Sequence, residues 1–403
     1  MKAKTRSVLT EMRRVGDDPR LKQALDRART RPRLPSADEV DRKTALALIE
    51  SCRQGTAPTE GALTLAVGRE DLLSSMRTDL VHVTGQSSRL RVINGEFGMG
   101  KTLTLRLLQE FAHGEGCATS FVVLSSRECP MYDLGAVYRH IVRSIRVAEC
   151  VDRPALEYIL ENWAVEVRES AVKGTLRPWA MGSLDRDFKT ALTQYYEGVH
   201  FRHPQKADIA LRWFQSHTTA SDNSRLRLSS SITGENALKM LGNFTLMLRF
   251  MGLKGMCILL DETDAISDLP DDAVRETAYA NLLSLARAAA TTPYSYFVYA
   301  TTPGFLNGVP AGYDGALGEV TQLEQLRSRD LIELSEEIRD LHFRAYDWCR
   351  DDLNSACLRR FVLEFTSTSV RTPRAFVRTL VAALDACEEN EELTLHQIMR
   401  RLS

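Results

Sequence analysis

The sequence predicts an α/β fold: a parallel sheet flanked by helices, interrupted by a large helical insertion and followed by a C-terminal helical lid. Three observations carry this prediction. Short continuous apolar runs at residues 90–94, 121–124, 256–260, 296–300 and 331–334 alternate with stretches of helical spacing, the pattern of strands buried on both faces. The first run leads straight into a glycine-rich loop at residues 95–102 and then into Leu103, Leu107, Leu108 and Phe111, which reads as strand, loop and helix. Residues 134–252, between the second and third runs, keep helical periodicity without a convincing strand.

Taken in order, residues 1–35 form a basic arm that ends in the region of Pro32 and Pro35. Residues 1–33 hold eleven basic side chains against four acidic ones, so the arm carries +7 and the rest of the chain −8, which the net charge of −1 conceals. Residues 36–133 make the first part of the core, with a short helix around Ala45 to Ile49 broken by Gly55 and Pro58, and another from Glu70. The insertion occupies 134–252, the second part of the core 253–334, and a helical lid 335–403. At 403 residues, 44% hydrophobic and 26% charged, the chain suits two to four globular units of about 100–200 residues each and excludes wholesale disorder. Eight scattered cysteines without a C-x-x-C pair read as reduced thiols. No apolar run nears the roughly 18 residues that cross a bilayer, and no secretory signal opens the sequence, so a cytoplasmic protein without membrane contact is expected.

The chemistry concentrates at strand ends. Gly95, Glu96, Phe97, Gly98, Met99, Gly100, Lys101 and Thr102 form a complete P-loop, with Leu103 following. Its glycines let backbone N–H groups curl around phosphates, the helix N-terminus adds positive partial charge, Lys101 reaches the β- and γ-phosphates, and Thr102 offers a hydroxyl to Mg²⁺. The run 256–260 ends in Asp261, expected to hold Mg²⁺, and Glu262, expected to orient or deprotonate the attacking water. Together these residues indicate ATP hydrolysis at the γ-phosphate. Thr301 and Thr302 end the next run, and either hydroxyl is placed to sense the γ-phosphate, Thr302 being the favoured candidate; a plain turn before Pro303 is the bland alternative. Arg327 and Arg329, just before the run 331–334, are candidates for an arginine finger reaching a neighbouring subunit, against ordinary surface arginines. Arg374 at the start of a lid helix is expected to close over the phosphates, with Arg371 as its alternative.

This order of motifs resembles the AAA+ class of ATPases, nearest its origin-recognition and STAND-like branches. More narrowly, residues 53–58, Val67-Gly-Arg-Glu70, the P-loop, the helix 138–145, residues 252–262 and residues 300–303 look like the ATP-binding protein family of BREX phage-defence systems. The spacing of 160 positions from Lys101 to Asp261 matches that family's long insertion. Glu96 and Met99 depart from its usual aspartate and frequent serine, at positions that supply no obligatory phosphate ligand. The resemblance implies an ATPase acting beside a helicase and a methylation or restriction apparatus. Two rivals stand: a nucleotide-dependent switch or scaffold with negligible turnover, and a DNA-binding helicase loader.

Two other signals weigh less. His200 and His203 lack a completing metal ligand. Tyr195, Tyr196, Phe201, Trp213 and Phe214 read as insertion core rather than a base-stacking platform. The basic arm remains as an element for weak, salt-sensitive, sequence-independent DNA contact, with solvated surface as the alternative.

Overall fold

The computed structural model describes residues 19–150, 153–172, 183–309, 318–367, 372–390, 392–395 and 397–398, with backbone only at 19–22 and 170–172. In chain order these include helices α1 (Pro19–Arg29), α2 (Arg42–Gln54) and α3 (Glu70–Thr84), strand β1 (Arg89–Asn94), α4 (Lys101–Gly114), β2 (Ala118–Val123), α5 (Leu134–Arg143) and β3 (Ile145–Arg146). Then come α6 (Ala155–Val172), α7 (Arg186–His200), α8 (Pro204–Phe214), α9 (Ala220–Leu226), α10 (Ala237–Phe250), β4 (Met256–Asp261), α11 (Asp272–Thr291), β5 (Ser295–Thr301), α12 (Pro303–Gly308), β6 (Glu319–Gln322), α13 (Ser328–Tyr346), α14 (Ser355–Thr366) and α15 (Pro373–Glu389). Most of the basic arm (residues 1–18) and Arg371, the alternative to Arg374, lie outside the described residues. Among the described residues no helix is long and apolar enough to cross a membrane.

The strands form one sheet in the order β3–β2–β4–β5–β1–β6. β2, β4 and β5 run parallel, with Phe121 opposite Leu259 and Leu259 opposite Val298. Every residue of β4 and β5 is buried, which explains their unbroken apolar sequence. β5 stands between β1, which leads into the P-loop, and β4, which ends in Asp261. The predicted α/β fold is therefore what forms, with corrections at its margins. Residues 331–334, expected as a strand, lie inside α13, where Leu331, Leu334, Ile338, Leu341 and Ala345 are buried at helical spacing. The four-residue window was too short to separate the two periods. β3 and β6 were not anticipated: β3 pairs antiparallel to β2 over two residues, and β6 is an edge strand with mostly exposed side chains, so neither carries an apolar pattern.

Two compact units emerge, one from residues 79–92 and 112–320, the other from 16–78, 93–111 and 321–403. In the first, the sheet and the insertion helices share one hydrophobic core. Phe188 is ringed by Trp213 at 5.5 Å, Phe214 at 5.2 Å and Phe244 at 6.3 Å between ring centroids. Tyr195, Trp213 and Phe214 are buried as core residues, whereas Phe201 is 61% exposed at the end of α7 and Tyr196 stacks on His200. Pro204 opens α8 at its first turn. Arg91, 3% exposed, donates to Asp79 at 2.6 Å and to the Tyr296 hydroxyl at 3.1 Å, so its buried charge is paired.

In the second unit, α2 shares a core with the lid helices through Leu48, Ile49, Ile338, Phe361, Phe376 and Leu384. A polar network crosses that core. Arg53 donates to Asp385 at 2.8 Å and to the Tyr346 hydroxyl at 2.8 Å, while His342 Nε2 lies 2.9 Å from Asp385 and the Trp348 indole donates to His342 Nδ1 at 2.9 Å.

Candidate nucleotide site

The P-loop begins where β1 ends. Asn94 closes the strand by donating its side-chain amide to Gln322 at 2.7 Å. Gly98 and Gly100 take φ of +80° and +91°, backbone that side chains of L-residues rarely adopt. A Cβ on Gly98 would stand 3.2 Å from the Thr372 hydroxyl, whereas one on Gly100 would meet nothing within 4 Å. The first glycine thus serves close approach, and the second serves backbone shape beside open space. α4 starts at once, with Thr104 N–H donating to the Gly100 carbonyl at 2.9 Å, and its opening N–H groups make the anion-binding end of a helix. Lys101 Nζ arches back to the carbonyls of Gly95 at 2.7 Å and Glu96 at 3.3 Å. Thr102 and Leu103 are half-buried, Met99 is buried and Phe97 exposed.

The second strand end is built differently. Asp261 is 3% exposed and its Oδ1 accepts the Glu262 N–H at 3.0 Å. Glu262 is exposed and sits in the left-handed region, φ +55°, ψ +43°, a conformation that strains a non-glycine residue. The chain is held on the far side of this kink by Thr263, whose hydroxyl donates to the Ala300 carbonyl at 2.7 Å on β5. Neighbouring residues are thereby aimed apart, the aspartate inward and the glutamate outward.

At the end of β5, the Thr301 hydroxyl is buried with no hydrogen-bond partner. Thr302 caps α12 by accepting the Phe305 N–H, which uses an oxygen lone pair and leaves the hydroxyl proton to donate elsewhere. Arg327 and Arg329 precede no strand. Arg327 is the N-cap residue of α13 and its N–H donates to Asp330 at 3.0 Å, while Arg329 Nε donates to the same carboxylate at 3.1 Å; both arginines are exposed. Arg374 lies in the first turn of α15. Its backbone N–H donates to the Gly98 carbonyl at 3.2 Å and its guanidinium sits 4.4 Å over the Phe97 ring, which brings Arg374 directly onto the P-loop.

Thr102 and Asp261 offer oxygen donors, the type that Mg²⁺ takes. The cluster His342, Asp385 and Glu388 has ligand-type atoms within 4.8 Å of one another but does not fit a metal. Indole is a donor only, so Nδ1 of His342 must accept from Trp348 and Nε2 must carry the proton given to Asp385. Arg69, which carried no chemical expectation from the sequence, donates its guanidinium to the Met99 carbonyl at 3.0 Å and the Glu324 carbonyl at 3.1 Å. Its only signal was membership of the stretch Val67-Gly-Arg-Glu70.

Among solved structures, the chain is similar to the Aeropyrum pernix ORC2 protein in ADPNP–ADP complexes, at 15% identity over 83% of this chain and 67% of that one, with a TM-score of 0.46. It is similar to the Aeropyrum pernix ORC1 protein in complex with DNA at 15% identity, over 83% and 65% of the two chains, with a TM-score of 0.43. A chain of the E. coli MS115-1 HORMA:CdnC:Trip13 complex matches at 11% identity over 92% and 98%, with a TM-score of 0.39. The chain spans about two thirds of the length of the two Aeropyrum proteins. None of the curated proteins compared matches it. The family model for the BREX system ATP-binding protein BrxC/D matches residues 40–313 and 308–403. That match takes in the P-loop, the Asp261 strand and the lid, and the chain belongs to the BREX system ATP-binding protein BrxC/D family.

Proposed function

We propose that this ATP-binding protein is a Mg²⁺-dependent ATPase that cleaves the γ-phosphate and uses the cycle to change conformation. The observation that carries the reading is the P-loop itself: glycines at positive φ, open space at Gly100, and Lys101 held over the loop at the start of α4. The loop and helix N–H groups bind the phosphate oxygens, and Lys101 exchanges its carbonyl partners for the β- and γ-phosphates. Thr102 and Asp261 are the residues that would hold Mg²⁺, which when bound neutralises charge on the phosphates. Glu262, turned outward from Asp261, accepts the proton of the attacking water. Thr302 donates its hydroxyl proton to the γ-phosphate, and Arg374 leaves Phe97 to approach the same group. Arg327 and Arg329 act in trans on a neighbouring subunit's nucleotide, so self-association belongs to the cycle.

Membership of the BREX family supports a role in phage defence, in the cytoplasm, beside a helicase or DNA-modifying partner. Residues 1–33 supply the charge for non-specific DNA contact. The test is Glu262→Gln in the full chain. Binding of a non-hydrolysable ATP analogue should be retained while phosphate release falls about a hundredfold or more. Phosphate release at the wild-type rate would remove Glu262 from the chemistry, and a wild-type protein that binds but never turns over would establish the switch instead.

A further inference from the structure

We propose that Arg69 is a positioning residue for nucleotide binding, which clamps the P-loop in its anion-binding form and ties it to the segment leading into Arg327 and Arg329. The proposal rests on the reading of residues 95–102 as the phosphate site. Arg69 immediately precedes α3. The turn that places it is fixed by Glu70, whose carboxylate accepts the Gly68 N–H at 3.1 Å. Its guanidinium spreads over two main-chain carbonyls far apart in sequence, Met99 in the loop and Glu324 between β6 and α13.

The Met99 carbonyl and the Gly100 N–H belong to one planar peptide and point to opposite sides of it. A donor that holds the carbonyl therefore also fixes the direction of the N–H. The preceding carbonyl, of Gly98, is held in turn by the Arg374 N–H. Two successive carbonyls are thus turned outward by partners outside the loop; the Met99 N–H donates within the loop to the Glu96 carbonyl at 3.3 Å, and the Gly100 N–H is set without any phosphate to organise it. That arrangement lowers the reorganisation a ligand must impose. Burial pushes the Arg69 pKa down, and the carboxylates of Asp330, Glu324 and Glu70 oppose that shift, so a charge is kept in a costly place with neutral carbonyls as its hydrogen-bond acceptors among these contacts. Only a planar fork reaches both carbonyls at once; a lysine ammonium is a single point.

Arg69→Lys in the full chain tests the clamp with two readouts. In the nucleotide-free protein, amide hydrogen exchange across residues 98–102 should quicken about tenfold, and affinity for both ADP and a non-hydrolysable ATP analogue should fall about tenfold, the effect of losing one charge-assisted hydrogen bond. Unchanged exchange with unchanged affinities overturns the proposal. Arg69→Met gives the larger loss in both readouts, and should it fail to fold, the lysine variant carries the test alone. Lys101→Ala run alongside keeps the two readings apart. If it binds nucleotide as the wild type does, the phosphate site is misplaced; if it loses binding while Arg69→Lys leaves exchange and affinity untouched, only the clamp is wrong.

Discussion

Two strands of the same sheet, β1 and β4, end in sharp turns, and they make those turns in opposite ways. After β1 the positive φ values fall on Gly98 and Gly100; after β4 the positive φ falls on Glu262. In the proposed mechanism the difference follows from which atoms would do the chemistry. At the P-loop the proposed working groups are backbone N–H groups, for which a side chain is dispensable, and glycine removes the strain. At Glu262 the proposed working group is the carboxylate, which requires the side chain in a conformation that costs about 1–2 kcal/mol.

The largest effect should come from removing the side chain proposed to reach the β- and γ-phosphates. Lys101→Ala is expected to abolish detectable binding of a non-hydrolysable ATP analogue, measured by calorimetry, with the fold checked by circular dichroism; two of the ammonium's acceptors in this structure are carbonyls of its own loop. Retained affinity would mean that residues 95–102 are not the phosphate site and would break the contrast at its first term.

A smaller effect sharpens the contrast by separating loop geometry from the scaffold beneath it. In the P-loop's own unit, Asp385 ties α15 to α2 and α13. Burial would push its pKa up, but the hydrogen bond from His342 and the Arg53 guanidinium outweigh it and hold the carboxyl at about 2. A carboxyl whose pKa is depressed on folding contributes stability above its unfolded pKa, near 4, and loses that contribution as the pH falls toward 2. Asp385→Asn should therefore destabilise this unit by about 1–2 kcal/mol at pH 7, with the gap in melting temperature between variant and wild type narrowing steadily below pH 4. A gap that is the same at pH 7 and pH 3 would exclude the network as a stabilising element.

What the sequence made legible follows the same division between backbone and side chain. Glycine spacing encodes backbone shape directly, so residues 95–102 were readable as a loop between strand and helix, and the buried faces of β4 and β5 forced continuous apolar runs that located Asp261 and Thr301. Residues 331–334 misled because four apolar-rich residues fit a strand or one turn of α13 equally well; only the longer spacing to Ile338, Leu341 and Ala345 decides. β6 left no trace because an exposed edge strand buries too little to need a pattern. The left-handed backbone at Glu262 was invisible because nothing in a glutamate announces it. Arg69 was invisible as chemistry because its partners are carbonyls, which every residue has.

The smallest effect tests the strain at Glu262 itself. Glu262→Gly keeps the turn and removes both the carboxylate and the steric cost of a Cβ at φ +55°. The strain relieved is about 1–2 kcal/mol, but glycine loses more conformational freedom on folding, by about 0.5–1 kcal/mol, so the net gain in stability should be about 0.5–1 kcal/mol. Chemical denaturation of the nucleotide-free protein measures it. Lost turnover together with this gain would mean that the glutamate holds its place against its own backbone preference, for the sake of the side chain. Lost turnover with lower stability would mean instead that the hydrogen bonds of Asp261 and Thr263 around the kink already favour the left-handed turn, and that the two strand ends differ in chemistry but not in strain.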